Sequence, residues 1–377
     1  MAIDVRYAGF NEYPRVSRFL NEYWAKDHAY VRIPELFDWT FNRAGLWDRD
    51  GYSFALAEEK GEIVGILGAI PFIFNCLGKA SPAAWTANYM VRPEYRGGAV
   101  GLQLLRMVWR PPYDAVVSFG ITQAVLPLHR LLRWRVMEEI PRHFMVLPDA
   151  EQNMTCLLRL AQSDWTEDRA RELAHAFTLP RVSPTSVPDT KTLPPNWDER
   201  DWPAIASQTV GAARNLDYLT WRYVKHPVFR YRFIGMSDGK RTGLLIWRLE
   251  TIRHVTPEGD AEVGRLGRVL EFLPTSRSNA HQLLTVFTHE LSEAQALGAD
   301  YYGYHGESRN WLQEFGFRSV EGHLDGQMIP SRFQPLDRRG GSIRSAFSVR
   351  DEVPVCSSDG VCSWYWTKSD ADQDRPN

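Results

Sequence analysis

Apolar and polar positions along the first half of the chain alternate between helical and strand-like periods. The pattern predicts helices at 8–23 and 33–43, strands at Ser53–Ala57 and Glu62–Phe74 around a Lys60-Gly61 turn, a strand at 84–91, a helix at 99–109, a strand at 114–119, a short helix at 123–132 and a strand at 140–147. Strands that alternate with helices in this way are typical of a mixed α/β fold.

The second half repeats this order after a segment, 178–200, that is rich in Pro, Ser and Thr. The pattern predicts a helix at Asn215–Val224, strands at Tyr231–Met236 and Arg241–Val255 around a turn at 237–240, a strand at Arg268–Leu273, a helix at 279–297 and a strand at Asp300–Tyr304. We therefore predict two domains of the same type, at 1–150 and 201–377. Residues 151–200 form a linker that includes a possible helix before 178.

Composition excludes several classes of protein. The 377 residues carry 44 basic and 46 acidic side chains, for a net charge of −2, so no overall field attracts nucleic acid. No run of about 18 apolar residues and no secretory leader is visible, and we expect a cytoplasmic protein without a membrane span. The four cysteines do not have the spacing of a metal site or a disulfide framework, so we expect no metal.

A glycine-rich turn precedes the predicted helix at 99–109. Its sequence, Arg96-Gly97-Gly98-Ala99-Val100-Gly101, lacks bulky side chains where several backbone N–H groups and the positive end of the helix dipole converge. The Gly-Lys-Ser/Thr ending of a Walker loop and the three spaced glycines of a dinucleotide fingerprint are both absent from this turn. The turn therefore predicts a site for a diphosphate of another kind.

This region resembles the GNAT superfamily of acyl-CoA-dependent N-acyltransferases, whose loop reads Arg/Gln-x-x-Gly/Ala-x-Gly/Ala after a Val-x-Pro-x-Tyr-Arg strand end. Arg96, Ala99 and Gly101 fill the loop pattern. The resemblance implies two GNAT-like domains in tandem, with acyl-CoA as co-substrate of the first. It also implies that the pantetheine arm lies along Asn88, Tyr89, Met90 and Val91. The loop at 274–279 has no glycine, so we expect the second domain to be degenerate and to shape the acceptor site.

Catalytic groups are harder to assign. The family acid is a tyrosine on the short helix after the fifth strand, and His129 stands at that position here. A histidine can exchange a proton near neutral pH, although a plain surface histidine is the alternative. Asn88 is the second catalytic candidate. The candidates for a base are ordinary charged side chains that can equally be surface groups: Glu94, Glu138, Glu139 and His28.

Polar and aromatic clusters in the second half suggest an acceptor site. Arg222 and Arg309 carry forked donors that suit a diphosphate, and Trp221 or Tyr304 can stack on a ring. The remaining acceptor candidates are His28 and His305. The alternative is that Trp221 packs a helix on its sheet and that the tail, 368–377, is a solvated end.

The tail sequence Asp370-Ala371-Asp372-Gln373-Asp374-Arg375-Pro376 resembles tandem GNAT proteins of cell-surface polysaccharide pathways, such as O-antigen and lipopolysaccharide synthesis. That resemblance implies transfer of an acetyl or short hydroxyacyl group to the amino group of a nucleotide-linked, for example dTDP-linked, deoxyamino sugar. Two alternatives stay open: a FemX-like aminoacyl transferase of cell-wall synthesis, and a non-catalytic module that binds acyl-CoA.

Overall fold

A computed structural model describes residues 3–182, 187–304, 306–320, 329–337, 343–350 and 364–376. Its strands are β1 Asp4–Tyr7, β2 Phe54–Glu59, β3 Glu62–Cys76, β4 Lys79–Val91, β5 Ala115–Phe119, β6 Arg135–Ile140, β7 Arg142–Val146, β8 Val210–Ala212, β9 Arg232–Ser237, β10 Thr242–Thr256, β11 Gly259–Leu273, β12 Gly298–Tyr304, β13 Arg318–Ser319, β14 Arg332–Phe333, β15 Leu336–Asp337, β16 Ile343–Val349 and β17 Trp364–Thr367.

The helices cover the faces of this sheet. They are α1 Tyr13–Phe19, α2 Ala29–Arg32, α3 Pro34–Phe41, α4 Val100–Val108, α5 Leu126–Leu131, α6 Glu151–Ala161, α7 Glu167–Ala176, α8 Trp202–Ala206, α9 Leu216–Leu219, α10 Arg277–Glu293 and α11 Gly306–Phe315. Short π-helical turns at Leu20–Trp24 and Thr220–Val224 extend α1 and α9, and a third, Trp197–Asp201, leads into α8. The mixed α/β fold that the sequence predicts is confirmed.

The two halves contain the same order of elements. In the first half, the antiparallel strands β2, β3 and β4 lead through α4 to β5, which is parallel to β4. In the second half, β9, β10 and β11 lead through α10 to β12, which is parallel to β11. The periodicity predicts most of these elements, although β11 is longer than the predicted strand at Arg268–Leu273.

The halves exchange one strand each. β16, which follows the second series, lies between β5 and β6 of the first half and is antiparallel to both. β7, which ends the first series, lies between β12 and β13 of the second half and is antiparallel to both. Each half therefore has its sheet completed by a strand from the other, and all the strands but β14 and β15 join in one 15-stranded sheet.

The tail strand β17 lies at the centre of this sheet. It pairs with β8, which itself pairs with β3, and on its other side it pairs with Gly303 and Tyr304 of β12. β11 and β12 pair only at Gly267–Val269 and Ala299–Tyr301, so β17 occupies the space where these two strands separate. The tail therefore belongs to the core, and the expectation of a solvated end is wrong.

The predicted linker is partly ordered into the core. Residues 151–177 contain the two helices α6 and α7. Trp197 is fully buried, and its indole N–H donates to the carbonyl oxygen of Arg214 at 2.6 Å. The domain boundaries at 1–150 and 201–377 stay a prediction. The exchanged strands β7 and β16 connect the two segments.

Candidate active site

The first half opens between β4 and β5. These strands pair from Ala83↔Ala115 to Thr86↔Ser118 and then separate. Within the described ranges, Ala87–Val91 have no partner strand on the side that faces β5. This unpaired backbone edge can receive an extended ligand as a further strand. The candidate residues Tyr89, Met90 and Val91 lie along it.

The glycine-rich turn lies at the end of this edge. Gly97 has φ +84°, a conformation that favours glycine, and Gly97, Gly98 and Ala99 are exposed. Ala99 is the N-cap of α4, and no side chain caps the helix. The amides of Gly97 and Ala99 donate to no other backbone group in the part of the chain that is described. The N-terminus of a nine-residue helix is thus open to an anion.

The equivalent helix of the second half is closed. The Ser276 hydroxyl caps α10 by accepting from the Asn279 amide at 3.2 Å, and the Asn279 side chain accepts from the Thr275 amide at 3.2 Å. Because the Ser276 side chain caps the first turn of α10 and β17 fills the neighbouring separation, the described residues of this half lack the open helix start and open strand edge of the first half.

Arg96 and Gly101 connect the turn to β4. The Arg96 Nε–H donates to the Val91 carbonyl at 3.0 Å, and its side chain remains exposed. A Cβ atom at position 101 would overlap the Tyr89 hydroxyl oxygen, so glycine is the residue that fits here without displacing the tyrosine. Burial raises the pKa of Tyr89 to about 12, so its hydroxyl stays protonated at neutral pH.

Asn88 lies in a β-bulge immediately past the last β4–β5 pair. The register of β4 against β3 shifts between Ile66 and Gly68, and Asn88 has φ +51°. Its side chain is 4% exposed, and both amide atoms lack a hydrogen-bond partner. A buried amide without partners is unusual in a protein interior, and such groups concentrate at functional sites.

His129 is buried beside the same separation. It is 1% exposed, so the alternative of a surface histidine is wrong. Its Nε2 lies 3.0 Å from the Ser118 Oγ, and its Nδ1 lies 3.0 Å from the Val125 carbonyl oxygen. Both ring nitrogens are occupied, and burial lowers the pKa of His129. Sequence reasoning missed Ser118, a hydroxyl residue inside the apolar strand β5.

The candidates for a base differ in their surroundings. Glu94 and Glu139 are exposed, and the side chain of Glu138 lies outside the described part of the structure. His28 is 9% exposed, and its Nδ1 accepts from the Tyr30 amide at 3.2 Å while Nε2 has no partner. Burial, reinforced by the charge of Arg375, lowers the pKa of His28 to about 4. His28 is therefore neutral at pH 7.

The acceptor candidates lie on different elements: Trp221 and Arg222 follow α9, Tyr304 ends β12, and Arg309 is on α11. Trp221 stacks on Trp39 of the first half, and the Arg43 guanidinium lies 4.1 Å from the centre of its ring. Arg222 is buried and donates to the Asp374 carbonyl at 3.4 Å, so it holds the tail. Tyr304 and Arg309 are both half-buried. His305 lies outside the described residues.

Buried ion pairs anchor the tail. Arg214 pairs with Asp370 at 2.9 Å and with Glu271 at 2.8 Å, and all three side chains are fully buried. Asp374 pairs with Arg248 at 2.8 Å.

These anchors bring Gln373 over the end of β5. Its amide N–H donates to the Phe119 carbonyl at 3.3 Å, and a Cβ atom at Gly120 would overlap it. The tail thus borders the opening between β4 and β5.

The described part of the chain shows neither a metal cluster nor a membrane-spanning helix. The described ranges contain no group of three or more His, Cys, Asp or Glu side chains that could hold a metal ion. None of the helices in those ranges is long and apolar enough to cross a bilayer.

Comparison with known proteins identifies the first half. Residues 13–110 match the acetyltransferase (GNAT) family, a segment that includes β2, β3, β4 and α4. No curated protein matches the chain.

Solved structures share the fold over nearly the whole chain. A GCN5-related N-acetyltransferase from Anabaena variabilis is 13% identical with a TM-score of 0.53, and the alignment covers 93% of this chain and 73% of that one. N-myristoyltransferase from Saccharomyces cerevisiae with bound myristoyl-CoA is 12% identical with a TM-score of 0.55, covering 96% and 86%. A probable N-acyltransferase from Enterococcus faecalis is 13% identical with a TM-score of 0.52, covering 92% and 72%.

Proposed function

We propose that this chain, whose residues 13–110 match the GNAT family, is an acyl-CoA-dependent N-acyltransferase that transfers an acetyl or short hydroxyacyl group to the amino group of a nucleotide-linked deoxyamino sugar. The amine attacks the thioester carbon directly, the C–S bond breaks, and coenzyme A leaves as the thiol.

One contrast within the chain carries the acyl-CoA part of this proposal. The first half has an open helix N-terminus next to an unpaired strand edge, whereas the second half has both features closed by its own residues. We propose that the amides of residues 97–101 hold the diphosphate and that β4, from Asn88 to Val91, holds the pantetheine arm. A thioester held there lies close to the point where β4 and β5 separate.

The position of the tail supports an acceptor site between the halves. Gln373 contacts the end of β5, and Asp372 pairs with Arg375 at 2.9 Å, with the Arg375 side chain 27% exposed. The charges of both residues act on His28, so these three side chains lie in one neighbourhood. A hydroxylated, anionic acceptor suits the partly exposed Arg375 guanidinium.

We assign the acceptor class partly from the tail sequence, so a direct screen is needed. The wild-type chain is incubated with acetyl-CoA or 3-hydroxybutanoyl-CoA and a panel of dTDP- and UDP-linked 3-amino and 4-amino sugars, simple amines and peptides, and released thiol is measured. The matched controls are the same nucleotide sugars with a hydroxyl in place of the amine.

The expected result is thiol release with at least one amino sugar and none with its hydroxyl counterpart. Release with simple amines or peptides alone would contradict the sugar assignment and leave acyl transfer intact. Binding of acyl-CoA without release for any amine would instead favour a non-catalytic module.

A further inference from the structure

Three buried side chains are hydrogen-bonded in series at the point where β4 and β5 separate. The Thr86 Oγ1 lies 2.7 Å from the Ser118 Oγ, which lies 3.0 Å from the His129 Nε2. Thr86 and Ser118 are the last pair before the strands separate. Ser118 is therefore the last β5 residue that pairs with β4, beside the unpaired edge proposed to hold the thioester.

The groups at the two ends of this hydrogen-bonded series determine where its protons lie. A carbonyl oxygen only accepts, so the His129 Nδ1 carries a proton and donates it to Val125. Burial lowers the pKa of His129, so the ring is neutral and its Nε2 is an acceptor. Ser118 must then donate its one proton to His129, and Thr86 must donate to Ser118.

This arrangement leaves one position free on the Ser118 oxygen. A hydroxyl has one donor and two acceptor positions, and Thr86 uses only one of the latter. The free position can accept a hydrogen bond from the N–H group of an acceptor amine. A hydroxyl that donates to a neutral imidazole, itself oriented by a third group, is the arrangement by which enzymes move protons.

We propose that Ser118 is a catalytic residue that carries the acceptor amine's proton to His129 and returns it to the departing sulfur. The proposal rests on the acyl transfer proposed above. His129 then acts through Ser118, to which its Nε2 is hydrogen-bonded, rather than on the thioester itself.

The step balances as follows. The neutral amine nitrogen bonds to the thioester carbon, and the C–S bond breaks as the tetrahedral intermediate collapses. One amine proton passes to the Ser118 oxygen while the Ser118 hydroxyl proton passes to the His129 Nε2. The imidazolium returns that proton through Ser118 to the thiolate, leaving an amide, a thiol and a neutral histidine.

The test compares Ser118→Ala, Ser118→Thr and His129→Gln with a matched control, Ser345→Ala. Ser345 lies on β16 opposite Phe119, is 1% exposed, and its hydroxyl has no partner. For each full-length variant, kcat and KM are measured by thiol release with acetyl-CoA and the amine panel. The dissociation constant for acetyl-CoA and the Tm are also measured.

The proposal predicts that Ser118→Ala and His129→Gln each lower kcat by about 100-fold or more. Neither substitution changes acetyl-CoA affinity more than twofold. A double variant with both Ser118→Ala and His129→Gln has a kcat no lower than that of the slower single variant. Ser118→Thr keeps the hydroxyl and restores at least a tenth of the wild-type kcat. Ser345→Ala behaves like the wild type.

Two results overturn the proposal in distinguishable ways. If the wild type turns over and Ser118→Ala has the same kcat, or loses activity only in proportion to lost folded protein, Ser118 has no proton role and acyl transfer still stands. If the wild type releases no thiol with any amine, acyl transfer itself is contradicted, and the role of Ser118 falls with it.

Discussion

Trp39 and Trp221 hydrogen-bond to each other across the two halves of the chain. Each indole N–H donates to the backbone carbonyl of the other residue at 3.3 Å, and the rings stack with centroids 4.6 Å apart at 14°. The pair satisfies two polar groups while it buries two large apolar faces, so it fixes helix α3 against the turn that follows α9.

Removal of this pair should weaken the junction of the halves. We expect Trp221→Ala to lower the free energy of unfolding by about 3 kcal/mol, because it deletes a large ring from a packed interface. Trp221→Phe keeps a ring but loses the N–H donor, and about 1 kcal/mol is expected. Denaturant unfolding measures both, with Trp24→Ala, at a tryptophan that is 39% exposed, as the control. Equal losses at positions 24 and 221 would contradict the interface role.

The close approach of Gly101 to Tyr89 predicts a specific double-mutant result. Gly101→Ala should cost about 1–3 kcal/mol of stability, because its Cβ overlaps the Tyr89 hydroxyl. Adding Tyr89→Phe removes that oxygen and should restore part of the loss. Gly98→Ala is the control, since a Cβ there would lie 3.4 Å from the Tyr95 carbonyl, an ordinary contact. Thermal unfolding of the wild type, Gly101→Ala, Tyr89→Phe, the double variant and Gly98→Ala tests this; additive losses would argue against the contact.

Buried His143 should make stability depend on pH. It is fully buried with neither ring nitrogen paired, and burial, with the charge of Arg309, lowers the pKa of His143 to about 4 from 6.5. The unfolded chain binds the proton more readily, so stability falls as pH decreases from about 6.5 toward 4.

Between pH 7 and pH 5 this one group should account for about 2 kcal/mol of lost stability, by linkage. His143→Gln should remove that part of the pH dependence in urea unfolding at the two pH values. His175→Gln serves as the control, because the His175 side chain is 77% exposed. A parallel change in both variants would show that His143 is not responsible.

The tail should be needed for the stability of the whole chain. Asp374 accepts from Arg248 and from the Tyr231 hydroxyl at 2.7 Å. Burial opposes the charge of Asp374, yet the ion pair with Arg248 outweighs it and holds the pKa of Asp374 well below its usual range.

Asp374→Asn removes one charge from this buried pair and should destabilise the protein by about 3–5 kcal/mol. The same substitution at Asp149, whose ion pair with Arg181 is exposed, should cost less than about 1 kcal/mol. Chemical denaturation measures both. If Asp374→Asn were as mild as Asp149→Asn, the tail would not be an integral part of the core.

Local sequence features predicted much of the first half. Gly97 and Ala99 predicted an exposed helix start without a side-chain cap. This prediction was possible because the absence of a capping side chain depends only on the residues at that position. Hydrophobic periodicity likewise predicted β2, β3, β4 and α4, whose faces are set by nearby residues. The family match at 13–110 covers this same part of the chain.

What the sequence did not predict depends on distant contacts. The exchange of β7 and β16 cannot be deduced from periodicity, because pairing partners are not encoded locally. The tail aspartates look like a solvated charged end until Arg214 and Arg248 are known to face them. Ser118 was missed for the same reason: its role depends on the position of His129 relative to β5. A buried hydroxyl within each of two apolar strands, Thr86 and Ser118, was the available signal.

The account depends most directly on anion binding at the open N-terminus of α4. Ala99→Glu places a negative charge at this exposed N-cap. The charge should interact favourably with the helix dipole, as an anionic ligand would, and stabilise the fold by about 0.3–1 kcal/mol. Ala176→Glu, at an exposed alanine on α7, is the matched control.

The decisive measurement is the dissociation constant of acetyl-CoA by titration calorimetry for the wild type and these two variants. The account predicts that Ala99→Glu weakens binding at least tenfold while its Tm is equal or higher, and that Ala176→Glu binds like the wild type. An Ala99→Glu protein that binds acetyl-CoA with unchanged affinity would contradict it.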